Sequence, residues 1–127
     1  MIYREKAKIY KPQTAKVVPW EGIEKFYADL VSNGLNFQDM LLLIRFIRNS
    51  GLEKKLFGYT SVHKLVITIY DSPEWNREAL HIEFNHDIQK FHFAYRPEPY
   101  APVEMERHYP AENISTKFTR YIGWLRW

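Results

Sequence analysis

Cysteine is absent from the 127 residues and glycine occurs only five times. No apolar run approaches the roughly 20 residues that a membrane-spanning helix needs. The first absence excludes a disulfide framework, cysteine-ligated zinc and thiol catalysis, and it suits a reducing compartment such as the cytoplasm. The scarcity of glycine goes with the lack of a Walker loop, a dinucleotide fingerprint and a GxSxG elbow. The opening stretch MIYREKAKIYK is charged throughout, so a secretory signal and a membrane role are not expected.

Aromatic residues are plentiful: four Trp, nine Tyr and eight Phe. Such content points to a packed domain with aromatic-rich surfaces rather than to disorder. At this length one domain spanning 1–127 is expected, large enough to bury something like two-thirds of its unfolded surface without a metal staple. The net charge of +3 is unevenly spread. Residues 1–16 carry +4, residues 71–112 carry −5, and 113–127 hold three basic groups. A basic arm beside an acidic middle is not the single-signed surface of a nucleic-acid binder, and nucleic acid is not the expected partner. A locally acidic face can steer a basic partner instead.

The stretch Asn36–Gly51, NFQDMLLLIRFIRNSG, organises the chain. Asn36 with Asp39 has the spacing of a capping box, Gly51 suits the left-handed helix end, and Arg45 and Arg48 suit the negative end of the dipole. Phe37, Met40, Leu41, Ile44 and Ile47 form a stripe that Leu42, Leu43 and Phe46 widen, so this helix should be covered on both sides. An earlier helix is expected from Pro19 to about Asn33 on the stripe Ile23, Phe26, Tyr27, Leu30 and Val31, ended by Gly34 and paired with the central helix as a hairpin. Leu52–Phe57 adds one helical turn before Gly58. Residues 2–10 alternate as an edge strand, and 1–18 as a whole form a basic extended arm or edge strand.

The period then changes. His63–Tyr70 reads as an inner strand, and Ala79–Phe84 and Lys90–Arg96 as an antiparallel hairpin that sets Glu83 near His92. Residues 95–112 form a proline-rich loop that cannot be a helix or a central strand. Ile114, Phe118, Tyr121, Ile122 and Leu125 predict a closing helix. The expected fold is therefore α+β: a three-stranded antiparallel meander, with an N-terminal edge strand or arm, packed on helices in the order β-α-α-β-β-β-α.

His81, Glu83 and His92 share the polar face of the hairpin. They lack a metal-ligand spacing, HIEFNH is not HExxH, and no metal or other cofactor is expected. Ser61 and His63 have no third partner for a triad. Glu83 as base and His92 as acid, with Arg96 and Lys90 nearby, would suit transesterification of RNA, and the element order resembles small ribonuclease toxins of the barnase and RelE type. A cross-strand salt bridge is the simpler account of the same pair. Two connections stand out from housekeeping. Trp75, in Asp71-Ser72-Pro73-Glu74-Trp75-Asn76-Arg77-Glu78, is either tucked under the sheet or presented to a partner. Tyr100 and Tyr109 lie among Glu98, Glu104, Glu106 and Glu112, and aromatic anchors ringed by one sign of charge suit a protein–protein hot spot.

The helical hairpin, the meander segments Leu80–Phe84 and Phe91–Tyr95, and the aromatic tail Phe118–Trp127 together resemble the small cytoplasmic immunity proteins of bacterial polymorphic-toxin and contact-dependent growth inhibition systems. The resemblance spans residues 20–127. It implies a non-enzymatic, stoichiometric inhibitor that binds a cognate toxin domain and blocks its active site, through acidic residues where the toxin is a nuclease. The expected contact residues are Asp71, Glu74, Trp75, Glu78, Glu83, Tyr100, Glu104, Glu106 and Tyr109, holding a partner with a basic surface.

Overall fold

The structure is a computed structural model that describes residues 16–72, 78–98 and 101–127. The expected strand over 2–10 and the contact residues Glu74, Trp75 and Tyr100 lie outside them. Helix α1 spans Trp20–Ser32 and follows directly on Pro19, whose carbonyl accepts the Gly22 and Ile23 amides at 2.8 and 3.1 Å. It ends as the sequence predicts: Gly34 takes φ +86°, its N–H bonds to the Val31 carbonyl, and the Leu35 N–H reaches back to Leu30, both at 3.0 Å. These two bonds satisfy carbonyls that would otherwise be orphaned.

Helix α2 spans Gln38–Asn49. The capping box does not form: Phe37 occupies the cap position, without a side-chain cap bond, and Asn36 is exposed. Phe37 is instead buried against Tyr27, with ring centroids 5.8 Å apart, so packing rather than an amide fixes the first turn. Met40, Leu41, Leu43, Ile44 and Ile47 are buried, but Leu42 is 49% exposed, so α2 has a solvent side after all. Arg45 and Arg48 face α1 and clamp Glu24 at 3.1 and 2.8 Å. After Gly51 (φ +86°), Leu52–Lys54 makes one 3₁₀ turn.

Among the described residues the sheet has five antiparallel strands in the order β1-β2-β3-β4-β5: β1 Phe57–Ser61, β2 Lys64–Thr68, β3 Ala79–Asn85, β4 Lys90–Arg96 and β5 Met105–Pro110. Helix α3, Ile114–Trp124, closes the described chain. The α+β fold is as expected, and two strands enlarge the meander. His63 sits in the β1–β2 turn rather than in a strand, and β1 replaces the helical turn expected at Phe57. Within β1, a Cβ on Gly58 would stand 3.2 Å from the Trp20 ring and 3.1 Å from the Val66 carbonyl. Trp20 is itself fixed by its indole N–H, which donates to the Leu56 carbonyl at 2.8 Å. Gly58 therefore marks a close approach of α1 to the sheet, not a turn.

The three α-helices of the described residues all contribute to a single core on one face of the sheet. Leu65, Ile67, Leu80, Ile82, Phe91 and Phe93 meet Tyr27, Met40, Ile44, Phe118 and Tyr121, with every one of these side chains buried. Phe93 lies at the centre, in edge contact with Phe91, Tyr109, Phe118 and Tyr121. Fully burying such a side chain contributes about 1.5–3 kcal/mol, so this aromatic cluster is a large part of what holds α3 to the sheet.

Candidate functional site

Strand alternation sends the other set of side chains to the opposite face. Register places Tyr59, Val66, His81, Ala94 and Glu106 in one row across all five strands. A second row runs Glu83, His92, His108 across β3, β4 and β5. Glu83 thus lies opposite His92, as the two alternating strands predict, and β5 brings in two further groups, Glu106 and His108. The His92 Nε2 is 2.6 Å from Glu106 Oε2, and its Nδ1 is 3.8 Å from Glu83 Oε1. The first is a charge-assisted hydrogen bond; the second is an ion pair when the imidazole is protonated. His108 stacks on His92 with centroids 4.6 Å apart and planes 16° from parallel.

The carboxylates stay accessible, with Glu83 57% and Glu106 52% exposed. The hydrogen bond from His92, with the charges of His92 and His108, holds the Glu106 carboxyl below the ordinary carboxylate range. Glu83, His92 and His108 border a hollow of about 200 Å³, and Glu83 with His63, Lys64 and His86 borders a second of about 370 Å³. His81, in the neighbouring row, behaves differently. Burial, reinforced by the nearby charges of Lys64 and Arg96, pushes its imidazole down to about 4, so it is neutral at physiological pH. Among the described residues no three His, Asp or Glu side chains gather so as to hold a metal ion. No helix there is long and apolar enough to cross a membrane.

The other expected site residues scatter. Arg96 lies four residues along β4 from His92, about 13 Å at strand rise, and its guanidinium donates to the Ala101 carbonyl at 2.6 Å. The set Glu83, His92 and Arg96 therefore does not converge on one substrate atom. Glu78 accepts hydrogen bonds from the hydroxyls of Tyr70 and Tyr95, which makes it a tie between strands. Asp71 is exposed just beyond β2. Glu104 is exposed too, and its N–H bonds to the Tyr95 carbonyl at 2.9 Å. Tyr109 is paired with Phe91, half-buried on the helix side of the sheet, 5.1 Å from Phe93. It is a core anchor and does not share a face with Glu106. His63 has its carbonyl bonded by the Tyr27 hydroxyl at 3.0 Å, and its ring packs on Phe37, away from any triad.

No protein family, curated protein or solved structure matches this chain. The site therefore rests on its own geometry. Sequence reasoning paired Glu83 with His92 and named Glu106 only as a contact residue in a loop; it missed His108 and the strand β5 that brings both into the cluster. The signal was present as the alternation Glu106, Arg107, His108, Tyr109, hidden by the prolines on either side.

Proposed function

We propose that this protein is a non-enzymatic binding protein whose sheet face opposite the described helices, centred on Glu83, His92 and Glu106, receives a basic surface of a partner protein. The observation that carries this reading is the pair of half-exposed carboxylates bracketing His92. Each can accept a lysine or arginine from a docked partner, and the hollow that Glu83 shares with His92 and His108 holds about 200 Å³, less than a small-molecule pocket usually does. The more specific form of the proposal is an immunity protein, blocking the active site of a toxin domain by covering it. A contact of this kind depends on charge complementarity for its association rate.

The test is co-expression with the toxin domain encoded by a neighbouring gene. Wild-type protein should rescue growth, and Glu83→Lys with Glu106→Lys should lose the rescue while remaining folded. Rescue undiminished by the double reversal would refute this face as the interface. Ribonuclease chemistry remains the second reading because Glu83 and His92 do adjoin. Two carboxylates around one imidazole repel a phosphodiester, however, and the nearest arginine on the strand points elsewhere. RNA cleavage by purified protein that disappears in both Glu83→Gln and His92→Ala would decide for the enzyme.

A further inference from the structure

We propose a second docking site, on the outer edge of β5 and the adjoining side of α3, that binds an acidic, extended segment of another protein by strand addition. This surface is separate from the carboxylate face and carries the opposite charge, so it stands or falls independently of the function proposed above. Strand β5 is last in the sheet, and among the described residues nothing pairs with its outer side. At the other edge the chain already lies along β1, with the Val18 N–H bonded to the Gly58 carbonyl at 2.8 Å. The open edge offers main-chain groups at alternate residues between Met105 and Tyr109; the Met105 carbonyl already accepts from the Tyr121 hydroxyl at 2.6 Å and the Glu106 carbonyl from the Arg107 guanidinium at 2.7 Å, and Pro110, with no N–H, sets the limit.

The side chains beside this edge are cations fixed on aromatic rings. Lys117, Arg120 and Trp124 follow at spacings of three and four along α3 and so share one helix face. The Arg107 guanidinium lies 5.7 Å from the centroid of Trp124, and the Lys117 ammonium 5.6 Å from that of Tyr109. Trp124 is 50% exposed, a large aromatic surface left open at this spot. It floors, with Met105 and Leu125, a hollow of about 430 Å³ rimmed by Arg107 and Arg126, in which Glu104 is the one lining carboxylate. A strand laid against β5 would place every second side chain over these cations. Glutamates there would meet Arg107 and Lys117, whose positions the rings have already restricted, which lowers the ordering cost of binding. Single-stranded nucleic acid suits the charge but not the strand edge: a phosphodiester backbone has no amide ladder to pair with β5, and the only ring left open for a base is the exposed part of Trp124.

The test uses a fluorescein-labelled decapeptide of alternating glutamate and valine, the same peptide N-methylated at alternate amides, and a ten-nucleotide oligothymidylate, each titrated into the protein by fluorescence polarisation. The unmodified peptide should bind, and Lys117→Gln combined with Arg120→Gln should weaken it about tenfold without lowering the thermal midpoint. N-methylation should abolish binding, since it removes the main-chain donors. Failure of the decapeptide to bind, equal binding of the N-methylated form, or binding of the oligothymidylate alone would each overturn the assignment.

Discussion

His81 makes the acid side of this protein's stability curve predictable. It sits in the middle strand with Val66 and Ala94 as its cross-strand neighbours, both buried, and with the charges of Lys64 and Arg96 acting on it. In the unfolded chain its imidazole titrates near 6.5; in the fold it titrates near 4. The unfolded state therefore binds the extra proton throughout the interval between these values, and stability falls as pH is lowered across it. At about 1.36 kcal/mol for each pH unit of separation the full effect is about 3 kcal/mol. Partial solvent contact of the ring halves it, and between pH 7.5 and 5 about 1 kcal/mol remains. The shifted carboxylates Glu24 and Glu106 do not interfere in that window, because their folded values lie below the ordinary 4.5 and their contribution is lost only at lower pH. Urea unfolding followed by tryptophan fluorescence at half-unit pH steps measures the slope. His81→Gln keeps the volume and removes the titration, so its stability should be flatter by about 1 kcal/mol over that window, whatever its absolute level. Parallel curves for wild type and variant would show that the imidazole is not held neutral by its surroundings.

Gly58→Ala should cost about 1–3 kcal/mol in urea unfolding, because the added methyl meets the Trp20 ring and the Val66 carbonyl and the indole is tethered to Leu56; an unchanged midpoint would show that α1 can retreat. Glu24→Gln releases Arg45 and Arg48 and should cost only about 0.5 kcal/mol, since all three side chains are partly solvated. The Glu24 carboxyl is held down chiefly by the Arg48 and Arg45 hydrogen bonds, so its stabilisation is present above the ordinary carboxylate value and fades as pH falls below it. In 1 M salt the difference between wild type and Glu24→Gln should shrink, and a difference unaffected by salt would point to packing instead.

How far the sequence reveals the fold depends on where each element stands. The central strands are legible because both alternate: Leu80, Ile82 and Phe84 and then Phe91, Phe93 and Tyr95 all point into the core, and matching them fixes the Glu83–His92 pairing. Strand β1 is not legible, because its core-side positions are Gly58, where the bulk comes from Trp20 on a helix, and the polar Thr60. Strand β5 is masked by its edge character. Its helix-side positions are Met105, Arg107 and Tyr109, and the arginine breaks the apolar pattern because at this edge it stays exposed, with its guanidinium 5.7 Å from the Trp124 ring. The absent cap at Asn36 shows a contest between a local hydrogen bond worth about 1 kcal/mol and the burial of Phe37, worth about two to three times as much. With β5 unread, Glu106 and His108 belonged to a loop, and half of the polar cluster could not be assembled.

Glu106 gives the sharpest choice between docking and catalysis. An imidazole that serves as a general acid must present a nitrogen to the substrate, and Glu106 already occupies Nε2 of His92 at 2.6 Å. In a catalytic site, Glu106→Gln would loosen that hold and reduce the local negative charge, so cleavage of RNA would rise or at least persist. In a docking site the same substitution removes one carboxylate from the surface that meets the partner, so association should slow several-fold at low salt and less at high salt. The carboxyl signals of Glu106 report the interaction directly: in His92→Ala its titration should move up toward the ordinary glutamate range, because the imidazole hydrogen bond is the largest influence lowering it. A titration unmoved by that substitution would mean that His92 and Glu106 are not bonded in solution, and the cluster on which both readings draw would lose its centre.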